Sequence, residues 1–341
     1  MKQVNWGIIG LGTIASQFAK GFEGLVSSKL LAIASKNPDK LNKFKKDLEV
    51  NNEYCFNNYQ TLIECKEIDI IYIALPTSLH HQWIIKCLDE GKKVLVEKPA
   101  TMNAAEIEQI KNNYPKEKIF INEAFMYMHY PQTKKIIELI NKGEIGDLIS
   151  MESSFGNNIL TKKNFFGFEK IKKLNTKNRI FNKELGGGVI LDLGCYPVSL
   201  STLIASQIIK IDYRKIKMIN IEKYMRPNEV EINASMELVF ENNFKSNIKA
   251  SFTKNLGNKT NIVGKKGELV IEDTWSANPS IIIIKKDKDR IINIDSVANI
   301  YSYEIDALSQ SILQNKASTN LFGITIDDII GNMKIIDKWK S

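Results

Sequence analysis

Three short clusters in this chain carry residue types and spacings able to do chemistry. The first is Gly10-Leu11-Gly12-Thr13-Ile14-Ala15, directly after the apolar run Val4 to Ile9. A strand, a turn of this Gly-x-Gly-x-x-Ala form and a helix together hold a dinucleotide pyrophosphate. Gly10 permits the tight turn, Gly12 lets the backbone approach the phosphates, and Ala15 lets the helix pack close to the strand. The helix N-terminus, with Thr13 and Ile14 in its first turn, offers amide N–H groups to the anion. A strand before the turn, an amphipathic helix after it and another strand within ~20 residues supply the required context.

The next strand ends Ala34-Ser35-Lys36-Asn37-Pro38-Asp39. An NAD enzyme usually has an acidic residue at this strand tip to accept the ribose hydroxyls. Ser35 and Lys36 offer a hydroxyl and a cation instead, which suits a 2′-phosphate. Asp39, after Pro38, belongs in the first turn of the following helix, where the dipole favours it. NADP is therefore expected ahead of NAD.

The second cluster lies at two strand ends. Leu75-Pro76-Thr77-Ser78-Leu79-His80 follows the strongest apolar strand, where a crevice opens outside the carboxyl ends of parallel strands. Thr77 or Ser78 can cap the next helix. His80 either lines the cofactor or makes a structural hydrogen bond inside that turn. Val94-Leu95-Val96-Glu97-Lys98-Pro99 ends the next strand, and the proline biases Lys98 towards extended backbone. An ammonium held there can hydrogen-bond a substrate hydroxyl and stabilise alkoxide charge; the plain alternative is a solvated strand-end lysine.

The third cluster is Gly186-Gly187-Gly188, followed by Leu191-Asp192-Leu193-Gly194-Cys195-Tyr196-Pro197. A helix over 188–200 would set Asp192 and Tyr196 one turn apart on one face. A phenol titrates near ~10, so Tyr196 is a poor base unless a neighbouring cation favours its phenolate. Lys98 and an oxidised nicotinamide are two such cations. Without them, Tyr196 reads as a tyrosine packed on a helix face.

The elements needed to position these clusters are legible as alternating patterns. Strands are expected near 4–9, 30–35, 54–56, 68–74, 93–97 and 118–122, with helices near 13–23, 38–48, 58–66, 78–90 and 103–113. Strands separated by single helices, and apolar throughout, argue for a parallel sheet covered on both faces. After a helix near 131–141 the rhythm changes to strands near 148–155, 228–241, 244–254, 259–264, 267–272, 279–286 and 289–295. Clean alternation in Glu229 to Leu238 implies an antiparallel sheet whose other face is solvated or kept for a partner subunit. The expected division is a dinucleotide-binding domain over 1–122 and a substrate and oligomerisation domain over 123–341. Helices near 303–315 and 325–339 close the chain, one of them packing back on the first domain. The basic, irregular stretch 156–187 reads as a functional loop with one short helix.

Composition bounds the rest. With 341 residues, 43% hydrophobic and 25% charged, the chain suits about two globular domains. Its formal charge of +8 is spread without a basic block, so no nucleic-acid partner is expected. No apolar run approaches the ~18 residues of a membrane span, and Met1 to Trp6 enters a strand with no room for a signal peptide. Four cysteines without paired spacing fit a reducing cytoplasm. Three histidines speak against a His-rich metal site, and no metal is expected.

Taken together, the glycine turn, Gly91 to Pro99, Gly186 to Pro197 and the turn Val263-Gly264-Lys265-Lys266-Gly267 resemble the Gfo/Idh/MocA oxidoreductases. The likeness is to the branch with glucose–fructose oxidoreductase and the dimeric dihydrodiol dehydrogenases. It implies an α/β fold: an N-terminal doubly wound Rossmann domain, then an α+β domain on a large, mostly antiparallel open sheet through which dimers or tetramers form. It also implies hydride exchange between nicotinamide C4 and a sugar or diol carbon. Lys98 and Tyr196 then assist proton transfer, Asp192 binds substrate or orients the pair, and Arg179 matches an arginine often found before the triple glycine. Glu97 and Glu123 join the cofactor-proximal residues. Met128 and Tyr130 stand where the family usually has Arg and His, so substrate preference does not carry over. Two rivals share the fold: a glycosidase that retains NAD and works by transient oxidation, and a non-catalytic NADP sensor, which would need none of Lys98, Asp192 and Tyr196.

Overall fold

The structure, a computed structural model, describes residues 2–163, 169–171, 178–225, 230–296, 299–316 and 325–341. The chain divides into two compact units, Met1–Tyr130 with Val297–Ile330, and Pro131–Ser296 with Gly331–Ser341.

In the first unit, six strands β1 (Val4–Ile9), β2 (Ser28–Ala34), β3 (Cys55–Phe56), β4 (Ile70–Ile73), β5 (Lys93–Glu97) and β6 (Ile121–Ala124) form one sheet. Their order is β3-β2-β1-β4-β5-β6 and every pairing is parallel. Five helices join them: α1 (Thr13–Ala19), α2 (Pro38–Asp47), α3 (Tyr59–Glu64), α4 (His80–Asp89) and α5 (Ala104–Asn113). The central strands are largely apolar, as strands covered on both faces must be; β4 is buried at all its positions. Local chemistry sets the helix starts. Asn37 caps α2 by accepting the Lys40 N–H, with Pro38 and Asp39 in the first turn, and Asn103 caps α5 by accepting the Glu106 N–H. Two-fold doubly wound order places the carboxyl ends of β1, β4 and β5 side by side, which is what a site at that edge needs.

The second unit holds α6 (Pro131–Asn141) and an eight-stranded sheet. Its strands are β7 (Leu148–Gly156), β10 (Lys217–Met225), β11 (Glu231–Val239), β12 (Lys245–Ser251), β13 (Thr260–Gly264), β14 (Gly267–Ile271), β15 (Ile281–Lys285) and β16 (Arg290–Asn293). Between β7 and β10 come the short pair β8 (Thr161–Lys163) and β9 (Glu169–Ile171). The large sheet runs β10-β11-β12-β7-β13-β14-β15-β16, antiparallel except where β12 meets β7. Helix α7 (Cys195–Ala205) is buried along its whole length, and Ser201 Oγ meets Ser246 Oγ of β12 at 2.7 Å. Among the described residues one run, Lys183–Ala205, has the length and apolarity of a membrane span; it is packed inside this unit.

Helix α8 (Tyr301–Leu313) returns to the first unit, where Trp6 Nε1 donates to Ser309 Oγ (2.9 Å) and Ser28 Oγ donates to the same atom (2.8 Å). The last helix, α9 (Ile326–Lys340), is crossed by the division between Ile330 and Gly331.

Strand β10 escapes sequence reading because it lies at the sheet edge, exposed or half-buried at every position, and so never alternates. In the loop expected over 156–187, the described parts are β8, β9 and two short 3-10 turns, Arg179–Phe181 and Lys183–Leu185. The remainder of that expectation lies outside the described residues.

Candidate active site

At the end of β1, Gly10 has φ +90°, and a Cβ there would stand 2.5 Å from the Ala74 carbonyl oxygen and 2.7 Å from Leu75 Cδ2. Only glycine allows β1 and β4 to come this close as the chain turns. Gly12 starts α1 with no side chain capping it, and a Cβ at that position would meet nothing within 4 Å. The amide edge therefore opens outward. Thr13 is exposed, Ile14 half-buried, and Ala15 buried under the helix. At the tip of β2 Ser35 is buried, its Oγ accepting the Asn37 N–H at 3.1 Å. Lys36 is exposed, with Nζ 5.6 Å from the centre of the Tyr59 ring. Asp39 sits in the first turn of α2, as its place after proline implied.

Lys98 follows β5 and is half-buried, joined to Pro99 by a cis peptide bond. Three side chains from neighbouring elements fix this turn. From β4, the Tyr72 hydroxyl donates to Glu97 Oε1. From α4, His80 Nδ1 lies 3.0 Å from the Pro99 carbonyl oxygen while Nε2 lies 2.8 Å from that of Leu75. From β6, Glu123 Oε1 accepts the Ala100 N–H at 2.8 Å. His80 is fully buried, with its two ring nitrogens facing the Pro99 and Leu75 carbonyl oxygens. The expected capping of α4 by Thr77 or Ser78 is not found. A 3-10 turn, Thr77–Leu79, intervenes, and Leu79 begins α4 without a side-chain cap. Thr77 is buried, whereas Leu75 and Pro76 are half-buried.

Burial pushes the Glu123 carboxyl up to about 7, against the lowering effects of the Ala100 amide and the Lys98 charge. Close by, Glu304 of α8 is completely buried and pushed well above the carboxylate range, first by desolvation and then by Glu97. His129 Nε2 stands 3.7 Å from Glu304 Oε1. Met128 and Tyr130, the two departures from the resemblance, are both buried; the Tyr130 ring packs edge-on to Tyr303 with centroids 6.3 Å apart.

In the second unit, Arg179 Nη2 donates to Asp192 Oδ1 at 3.1 Å. Asp192 and Tyr196 are both largely buried. The α-helix expected over 188–200 is interrupted: Ile190–Gly194 forms a π-helical turn and α7 begins only at Cys195. Such a turn shifts the phase between Asp192 and Tyr196, and π turns occur often at functional positions. Its neighbour explains the glycine: a Cβ on Gly194 would stand 2.8 Å from the Trp339 ring of α9. Tyr196 packs edge-on to Phe155 (5.0 Å) and against Trp275 (5.5 Å), and those two rings stack on each other at 5.6 Å. Trp275 Nε1 donates to the Ser154 carbonyl oxygen at 2.8 Å.

The first unit thus gathers Gly10, Leu75, His80, Glu97, Lys98 and Glu123 at one edge of its sheet; the second gathers Arg179, Asp192 and Tyr196. Sequence reading passed over Tyr72, Glu304, Phe155 and Trp275. Two of them had a signal. Tyr72 is the one polar-tipped residue in Ile70-Ile71-Tyr72-Ile73, and Glu304 falls on the apolar stripe of Tyr301, Ile305 and Leu308.

Comparison with known proteins accords with this arrangement. Residues 4–123 match the oxidoreductase family with an NAD-binding Rossmann fold, and residues 133–270 match the GFO/IDH/MocA C-terminal domain. Trans-1,2-dihydrobenzene-1,2-diol dehydrogenase of Xenopus tropicalis is 25% identical over 336 residues, covering 96% of this chain and 95% of that protein. The D-xylose 1-dehydrogenase (NADP(+)) of Hypocrea jecorina is 30% identical over 206 residues, covering 58% of this chain and 51% of that one. The crystal structure of KijD10, a 3-ketoreductase from Actinomadura kijaniata in complex with NADP and TDP-benzene, superposes with a TM-score of 0.81. It shares 20% identity, with 98% of this chain and 96% of that chain covered. With both of its halves matched in order, the chain belongs to the Gfo/Idh/MocA family of oxidoreductases.

Proposed function

We propose that this protein is an NADP-dependent dehydrogenase or reductase acting on a hydroxyl-bearing carbon of a sugar, sugar derivative or cyclic diol. The observation that carries the reading is the fixed Lys98 turn. Tyr72, His80 and Glu123 come from three different elements, and they bond Glu97, Pro99 and Ala100 around Lys98. That arrangement holds one cation at the carboxyl edge of a parallel sheet, where an oriented proton donor is useful.

The residues present fit the cofactor. The uncapped start of α1, with open space before Gly12, suits a pyrophosphate. Exposed Lys36 suits a 2′-phosphate, with the buried Ser35 hydroxyl beneath it. Thr13, Ile14, Leu75, Pro76 and Thr77 stand at the ends of β1 and β4, beside that turn. NADP in a similar fold and in the name of the xylose enzyme supports NADP over NAD. When bound, the nicotinamide supplies or accepts the hydride at C4.

Everything else falls to the chain. In the oxidative direction Tyr196 Oη takes the proton of the substrate hydroxyl while the Lys98 ammonium hydrogen-bonds the same oxygen. Glu97, His80 and Glu123 serve by holding the Lys98 turn. Asp192, steadied by Arg179, orients the substrate. The half-exposed face of the large sheet, with Val263, Ile281 and Ile283, is the surface through which we expect dimers or tetramers to form. Four free cysteines, two of them buried, suit a reducing compartment such as the cytoplasm.

The test is fluorescence titration with NADPH and NADH, then turnover on aldoses, inositols and cyclic diols, with Lys98→Met alongside. NADPH should bind more tightly than NADH. The variant should retain that binding and lose turnover by about 10²–10⁴-fold, the usual worth of a positioned proton donor. Full activity in Lys98→Met would remove this lysine from the mechanism.

A further inference from the structure

At the start of β11 one acid points where the alternation of its strand would not send it. Asn233, Ser235 and Glu237 alternate as half-buried positions, and Glu231 should continue that series. The register against β10 slips instead. Tyr224 faces Asn233 while Met225 faces Glu231, which leaves Ile232 as the extra residue of a bulge. Glu231 is buried there, only 6% exposed. Bulges re-aim single side chains in this way, often beside active sites. The side chain ends on the last residue of the triple glycine. Gly188 has φ +109°, and a Cβ there would stand 2.2 Å from Glu231 Oε2, so glycine alone admits the carboxyl group. The Gly188 carbonyl oxygen accepts the Asp192 N–H at 3.1 Å, and the Gly188 N–H donates at 2.9 Å to the carbonyl oxygen of Ile180, next to Arg179. Arg179, Asp192 and Glu231 therefore meet at one turn of the second unit.

We propose that Glu231 is a specificity-determining residue: it accepts a further hydroxyl of the substrate, so the site takes a polyhydroxylated sugar or cyclitol ahead of a cyclic diol. Asp192 has the Arg179 guanidinium as a donor, whereas no hydrogen bond to the Glu231 carboxyl group comes from the described residues. A carboxyl group buried this far calls for a donor. Arg179 already brings a cation to the turn, so the donor still wanted is a neutral one, and a hydroxyl serves. Counting hydroxyls then separates the substrates. The reacting hydroxyl goes to Lys98 and Tyr196, and a second goes to Asp192. A diol has none left for Glu231, and a site that leaves a buried polar group unpaired discriminates against that ligand.

This inference rests on the dehydrogenase reading above, so its test separates the two. The probes are xylose, glucose and myo-inositol as polyols and a vicinal cyclohexanediol as the diol, each offered to the intact protein with NADP. The wild type should favour a polyol. Glu231→Gln, of the same shape, should lower the ratio of kcat/KM for that polyol over the diol about 10-fold, with unchanged NADPH affinity. A carboxyl group that only props the turn would lower both values by one factor and leave the ratio alone, which overturns the proposal. A wild type that takes the diol at least as well as every polyol overturns it too, even if Glu231→Gln proves unable to fold. Binding is read separately, by calorimetry of the same polyols with the NADP-loaded protein. Saturable binding that weakens in Glu231→Gln, without turnover of either class, keeps Glu231 as a hydroxyl acceptor and sinks the dehydrogenase reading instead. No polyol binding by the wild type removes that role from Glu231.

Discussion

Around Lys98 the positioning contacts are polar and most of them end on backbone: His80 on two carbonyls, Glu123 on an amide, with Tyr72 on the neighbouring carboxylate. Around Tyr196 they are rings, with Phe155 and Trp275 stacked on each other and both against the phenol. The difference follows from location. Lys98 sits on irregular backbone past a strand end, where unsatisfied N–H and C=O groups are available to be grasped. Tyr196 sits in the first turn of a fully buried helix, where the rings of Phe155 and Trp275 pack against it.

The comparison breaks most visibly at Trp275. It is almost wholly buried, so Trp275→Ala removes a large ring and one hydrogen bond and should cost about 3–5 kcal/mol of stability. Urea unfolding of the variant should show that loss. Turnover should fall with it, since Phe155 and Tyr196 lose their neighbour. A Trp275→Ala protein with wild-type stability and kcat would mean that the rings do not hold Tyr196.

Glu123 sharpens the polar side of the comparison, and its sign can be worked out. Its carboxyl titrates at about 7 when folded, well above its ordinary range. The unfolded chain therefore releases that proton first, and stability declines as pH rises from the ordinary carboxylate range through about 7. The loss amounts to roughly 3 kcal/mol between about pH 4 and pH 8. Glu123→Gln keeps an oxygen for the Ala100 amide but has no proton to release. Its stability should rise relative to wild type across this window, read from denaturant midpoints at several pH values. Parallel curves for the two proteins would remove Glu123 as the titrating group.

How much of this was legible beforehand depends on the range of the interaction. The strand–turn–helix around Gly10, the place of Lys98 after β5 and the first-turn position of Asp39 follow from local pattern, and the structure has them so. The π-helical turn was not legible, and the Trp339 ring that leaves no room for a Cβ at its Gly194 comes from far away in sequence. Nor were the contacts of Tyr72 and His80 on the Lys98 turn, which exist only once β4, α4 and β5 lie side by side. Strand β10 was missed for the opposite reason. With no buried face it carries no period to read.

The smallest effect on stability, and the one that best separates holding from acting, belongs to Arg179. Its side chain is 42% exposed while that of Asp192 is only 12% exposed, so the ion pair is half in water. Pairs of this kind contribute under about 1 kcal/mol, and Arg179→Ala should leave the unfolding midpoint nearly unchanged. If Arg179 steadies Asp192 for substrate, the same variant should raise KM and lower kcat/KM, because a freed carboxylate no longer presents one geometry. Arg179→Lys should recover little of this, since an ammonium lacks the planar fork that fixes a carboxylate. An Arg179→Ala enzyme with unchanged kcat/KM on the best substrate found would leave the pair a surface contact.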